Sequence, residues 1–190
     1  MPYDGANYRD KLRLDRMAES VRGDLGLRPT DLLNLQQLAD AVPAHIFIPE
    51  DLVSAELAAD LRLVAWDGFA FQFPDEDALM ILLNPARSEK RQCATVLEEI
   101  GHYLLKHPPS SIFADPQTGI LRRSYLPAQE REAYDFGATL LLPKEFIQQH
   151  VKVAKGTAAD LADQCGCSTE LVEFRIKRCR LWNRYLANTA

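Results

Sequence analysis

The chain has 190 residues, 47% of them hydrophobic, with a formal net charge of −5, which is enough apolar material for one packed domain and a small appendage. Four scattered cysteines (Cys93, Cys165, Cys167, Cys179) and the charged opening "MPYDGANYRDKLRLDRMAES" argue against a disulfide framework and a secretory segment, so a reducing cytoplasm is expected. The longest apolar runs, "ALMILL" and "ATLLL", are too short to span a bilayer, and the acidic charge disfavours nucleic acid except at the basic tail, where residues 151–190 carry 7 Lys and Arg against 4 Asp and Glu.

From the N-terminus, the apolar spacing predicts two helices, about Asn7 to Leu25 and Asp31 to Ala41, with Thr30 as the N-cap of the second. The period then changes. "AHIFIP", "LRLVAW", "FAFQF" and "ALMILLN" are short β-branched and aromatic runs that read as strands, and Asp67-Gly68 reads as a tight hairpin turn. After Asn84-Pro85 the helical period returns from about Ser88 to Lys106 and stops at Pro108-Pro109. The next helix, Ala128 to Leu141, follows a connection ("PPSSIFADPQTGILRRSYLP") that is long for a compact domain and marks a functional or mobile loop. Three more helices are expected, near Lys144 to Lys152, Thr157 to Cys165 and Ser168 to Ala187.

The stretch "VLEEIGHYLLKH" (Val96 to His107) carries the chemistry. At about 100° per residue, Glu98, Glu99, His102 and Lys106 share one side of the helix, and taken alone they read as a solvated polar face. The following helix alters that balance. Glu130 falls on the apolar stripe with Ala133, Gly137 and Leu141, whereas Glu132 and Asp135 fall on the polar side and need no partner. A buried carboxylate needs a partner, and the small residues Ala133 and Gly137 let a neighbouring helix approach; a metal held between the two helices accounts for both. A zinc protease wants ligands at i and i+4, a general-base glutamate beside the first, and a third ligand from elsewhere. Glu98 and His102 hold the paired positions, Glu99 the base position, and Glu130 is the natural third ligand. His107 projects onto the apolar side and is read as a helix-end residue without a role, His45 and His150 lack a spacing that links them to the site, and Cys93 is read as a buried thiol.

In "TVLEEIGH" (Thr95 to His102), "EREAYDFGA" (Glu130 to Ala138) and "LLLP" (Leu140 to Pro143), the sequence resembles the ImmA/IrrE family of metallo-endopeptidases. Its members carry Thr-x-x-His-Glu-x-Gly-His, then Glu-x-x-Ala-x-x-Phe-Ala and Leu-Leu-x-Pro. The resemblance runs from about residue 31 to 180, through "ILLNPARSEKRQCA" and "CGCSTELVEFRIK". It implies an α+β zincin-like core with a small twisted mixed or antiparallel sheet and an active-site helix; the domain is expected over residues 1–155, with a helical extension over 156–190 packed on it. It also implies zinc as the cofactor and a role in gene regulation, by cutting or releasing a transcriptional repressor in phage, mobile-element or stress circuits.

Two positions depart from the pattern: Glu98 stands where the family has its first zinc-binding histidine, and Tyr134 stands where Asn or Asp is common. A second carboxylate leaves a zinc site formally neutral, which lowers its Lewis acidity and raises the pKa of bound water. The expectation is therefore little bound zinc, an oxygen-rich set suited to Mn²⁺ or Mg²⁺ with zinc still in contention, and weak or absent proteolysis; the alternative is an active endopeptidase.

The tail "LADQCGCSTELVEFRIKRC" places Ala162, Gly166 and Val172 at helix-turn-helix offsets, with Ser168 as cap. Arg175, Lys177 and Arg178 could meet DNA phosphates or the acidic body of their own chain, and DNA contact is the less favoured reading. Cys165, Cys167 and Cys179 form no paired metal pattern.

Overall fold

The computed structural model of the chain describes residues 8–63, 66–73, 77–108, 112–114, 121–123 and 126–189. Its first helix, α1 (Tyr8–Asp24), closes at Gly26, whose φ of 71° lies in the left-handed region that glycine enters without a Cβ penalty. Asn7, expected in this helix, lies outside the described residues. α2 (Leu35–Ala41) is capped by Asn34, which accepts the Gln36 and Gln37 amides, and not by Thr30. The cause is local: the Asp31 carboxylate accepts the Arg28 amide at 2.8 Å and its guanidinium at 2.9 Å, and this turn delays the helix.

Strand β1 (Ala44–Phe47) pairs parallel with β3 (Leu79–Leu83), and β2 (Gly68–Phe71) pairs antiparallel with the other edge of β3. The sheet is therefore mixed, in the order β1-β3-β2. β3 reads LMILL and is buried at four of its five positions, as a strand covered on both faces should be.

One strand expectation and one turn expectation are corrected here. The start of "LRLVAW" is helical: Leu61 to Leu63 close α3 (Ala55–Leu63), whose Ala, Leu and Glu content outweighs the alternation at its end. Val64 and Ala65 lie outside the described residues. Asp67-Gly68 is not a hairpin turn, because Gly68 opens β2 and the connection to β3 runs through 72–78. Gly68 is needed for close approach: a Cβ there would stand 2.8 Å from both the Leu82 carbonyl oxygen and Thr95 Cγ2.

Ser88 caps the central helix α4 (Glu89–Leu104) by accepting the Arg91 amide. This helix sets Cys93, Val96, Leu97 and Ile100 into the core, and α5 (Pro127–Leu141) packs beside it. The long connection between them contains an antiparallel ribbon, β4 (Ile112–Ala114) with β5 (Leu121–Arg123), where the sequence pattern predicts a loop.

Each of the two helices presents a glycine to the other's backbone. A Cβ on Gly101 would fall 2.7 Å from the Ala133 carbonyl oxygen, and one on Gly137 would fall 2.6 Å from that of Leu97. The C-terminal end of α5 is held by two buried guanidiniums: Arg22 Nη1 donates to the Leu140 carbonyl at 2.8 Å, and Arg175 Nε donates to that of Leu142 at 2.9 Å. Cations at these carbonyls satisfy groups the helix leaves unpaired and oppose the negative end of its dipole.

After Pro143, α6 (Lys144–Gln149) runs into a π turn, His150–Ala154, which Lys155 ends at φ 54°. His150 Nε2 donates to the Thr157 carbonyl at 2.9 Å. Then come α7 (Ala158–Cys165), α8 (Thr169–Arg178) and α9 (Trp182–Thr189), with α8 against α5 and α6 and α9 against the π turn. The single helix expected over Ser168 to Ala187 is broken at Arg180, φ 58°. There the Arg180 and Leu181 amides turn back to the Lys177 and Ile176 carbonyls, both at 3.0 Å, in a Schellman closure.

Candidate metal centre

Glu98 and His102 lie one turn apart on α4, and Glu130 lies in the first turn of α5, where a carboxylate also suits the positive end of that helix. The glycine contacts at 101 and 137 bring the two helices close enough for these side chains to meet. One ligand atom from each of Glu98, His102 and Glu130 lies within 4.8 Å of the others, and all three residues are half-buried. His102 Nε2 stands 3.5 Å from Glu130 Oε2, longer than the 2.7–2.9 Å of a charge-assisted hydrogen bond. Two ligands at about 2.1 Å from one tetrahedral ion stand roughly 3.4 Å apart. The separation and the donor set, one imidazole and two carboxylates, therefore fit a divalent cation.

Glu99, beside Glu98, is only 8% exposed, so the polar sector of α4 is not the solvated face that the helix alone would allow. On the Glu98 side stands Tyr134, whose ring meets Phe174 edge-on at 5.3 Å. Burial first, and then the Glu98 carboxylate, hold its phenol above its ordinary pKa. Arg91 lends positive potential there; it donates to Asp67 at 2.7 Å, and that bond chiefly raises its pKa, with the Asp67 and Glu98 charges adding to it.

A second layer supports His102. The α4 helix ends in another Schellman closure: Lys106 takes φ 55°, its amide returns to the Tyr103 carbonyl, and the His107 amide returns to that of His102, both at 3.0 Å. The closure folds the His107 ring back onto His102, with 3.0 Å between the two Nδ1 atoms and 5.0 Å between ring centroids. His107 Nε2 lies 3.0 Å from Glu132 Oε2, and Arg13 of α1 pairs with the same carboxylate. His107 ends the helix as expected and stays outside the candidate ligand cluster, but its ring makes contacts with His102 and Glu132 that were not expected, and the expectation that Glu132 needs no partner is corrected. Their only local signal would have been a glycine at position 106, and the chain has a lysine there.

Asp135, also expected to be solvated, is 3% exposed and pairs with Arg178, and its Oδ1 lies 3.6 Å from Arg175 Nη1. Of the three candidate nucleic-acid contacts, Arg175 is 1% exposed and Arg178 is engaged by Asp135. Lys177 is exposed, 3.3 Å from Glu173 and 4.0 Å over the Trp182 ring. The four thiols are free. Burial raises Cys93 and Cys165 to about 12 and Cys167 to about 11, so at neutral pH these three are protonated and poor ligands.

Two candidate ligand positions one turn apart on a central helix, a carboxylate from the next helix within reach of them and a small mixed sheet beside them fit a zincin-like, metallopeptidase-like domain. Residues 57–177, more than half of the chain, match the peptidase M78 family model, described as the IrrE N-terminal-like domain. The chain belongs to that family, the ImmA/IrrE metallopeptidase-like proteins, which depend on zinc. None of the curated proteins compared with the chain matches it.

Proposed function

We propose that the chain is a regulatory ImmA/IrrE-like protein with a degenerate peptidase site, Glu-Glu-x-x-His, that binds or acts on a transcriptional repressor or another protein partner with weak or absent proteolysis. One observation supports this above all: Glu98 does not turn away from the site but joins His102 and Glu130 at ligand distance. The scaffold is kept and the charge is changed. A divalent cation held there supplies Lewis acidity and an acidified water. Glu98 and Glu130 together offset the charge of such a cation, which weakens both effects. They also favour Mn²⁺ or Mg²⁺ more than a typical zinc site does, while the imidazole keeps zinc in play. Glu99, buried beside Glu98, is the group that would take a proton from water, and its retention favours the second reading, an active metal-dependent endopeptidase that cleaves a repressor. DNA binding through the tail is the weakest reading, because Arg175 and Arg178 are engaged inside the fold. Among the described residues no helix is long and apolar enough to cross a membrane, and the four free thiols suit a cytoplasmic setting.

Metal analysis, calorimetry and a peptide-cleavage assay on the unmodified chain and on Glu98→His test this. The unmodified chain should hold well under one zinc and cleave poorly. Glu98→His should bind zinc about tenfold tighter or better, a shift of the size that changes around a ligand set produce. Stoichiometric zinc with robust cleavage in the unmodified chain, or no gain in Glu98→His, overturns the reading.

A further inference from the structure

We propose that His107 is the positioning residue of this centre, holding His102 in the tautomer whose Nε2 lone pair is turned to the side of Glu130. The proposal rests on the reading that those three residues hold a divalent cation, and it extends to how the imidazole is made ready for one.

A carboxylate accepts hydrogen bonds and cannot donate when ionised. Glu132, paired with Arg13, therefore receives the Nε2–H of His107 across 3.0 Å. In a neutral imidazole with its proton on Nε2, Nδ1 is an acceptor. The atom 3.0 Å from it is His102 Nδ1, which must then be the donor. With its proton on Nδ1, His102 presents a lone pair at Nε2, the atom 3.5 Å from Glu130. Metal-binding histidines are commonly fixed in this way, by a carboxylate or carbonyl on the far nitrogen. Here an imidazole is interposed, so the order runs Arg13, Glu132, His107, His102.

The side chain of His107 is 7% exposed, so water does not readily replace it. Its placement depends on the left-handed Lys106, and the last link comes from α1, which carries no ligand. The orientation of one metal ligand is thus set by three residues from three parts of the chain.

The readout is the tautomer itself, taken from nitrogen-15 ring shifts of the full-length protein, which has only four histidines. Zn²⁺ and Mn²⁺ affinities from calorimetry and thermal melts accompany it for His107→Leu and His107→Asn. Asn can place its Oδ1 near the position of the lost Nδ1, so it keeps the acceptor. In the unmodified protein His102 should carry its proton on Nδ1. His107→Leu should lose that preference and about 10–100-fold in affinity for whichever ion binds, and His107→Asn should restore most of both.

A His102 proton on Nε2 in the unmodified protein, an unchanged tautomer in His107→Leu, or an Asn variant no better than Leu overturns the proposal. If His107→Leu fails to fold, the unmodified and Asn spectra still decide it. If the tautomer behaves as expected and neither ion binds, the metal reading falls and the positioning of His102 stands.

Discussion

At the scale of single residues, the grouping of Glu98, His102 and Glu130 is legible and the residues packed around it are not. Glu98, Glu99 and His102 are fixed relative to one another by the helical period alone, and Glu130 betrayed itself as a carboxylate on an apolar stripe. His107, Glu132 and Arg13 escaped for physical reasons. A Schellman closure normally announces itself by glycine, and here Lys106 adopts φ 55° without one; the Arg13 link spans 119 residues of chain, which no local pattern records. The left-handed conformation costs a non-glycine residue about 1–2 kcal/mol, against roughly 0.5–1 kcal/mol of backbone entropy that glycine loses. Lys106→Gly should therefore stabilise the protein by about 0.5–1 kcal/mol, read as a higher urea midpoint at unchanged slope.

At the scale of elements, the helices with strong local stops were read well. α4 starts at a Ser cap and α5 at Pro127, and both ends of α7 carry recognisable signals, Thr157 and Gly166. The failures came where side chains redirected the backbone: Asp31 with Arg28 before α2, and Arg180 between α8 and α9. The α4–α5 contact gives a test in which two effects oppose each other. Alanine is the better helix former by roughly 0.5–1 kcal/mol, and at Gly23, where a Cβ meets nothing within 4 Å, Gly23→Ala should gain up to that amount. At Gly137 the same change drives a methyl into the Leu97 backbone 2.6 Å away, and overpacking of this kind costs about 1–3 kcal/mol. Packing wins, so Gly137→Ala should lower stability. It should also weaken metal binding in the Glu98→His background, since the helices that carry the candidate ligands must part. Chemical denaturation of the two alanine variants side by side checks the opposite signs.

At the scale of the whole molecule, the acidic body and basic tail noted in the sequence find each other: Arg175 and Arg178 meet Asp135, and Arg22 and Arg175 grip the end of α5 from the two ends of the chain. Composition announced the charges, and only the fold shows that two of the tail's seven are spent internally. Cys93, Cys165 and Cys167 give a pH prediction. Their pKa values are raised by burial, so the folded state holds these protons more tightly than the unfolded state. Their contribution to stability is complete below the unfolded value of 9.0 and is lost as pH rises through about 11 to 12. Denaturation midpoints should fall across that window, and a thiol reagent at pH 8 should label the native chain slowly and all four cysteines once it is unfolded. The spacing of α4 and α5, set by main-chain contact at Gly101 and Gly137, is independent of the side chain at residue 98. An exchange there alters the charge and donor atoms gathered between the helices while the frame that gathers them stays as it is.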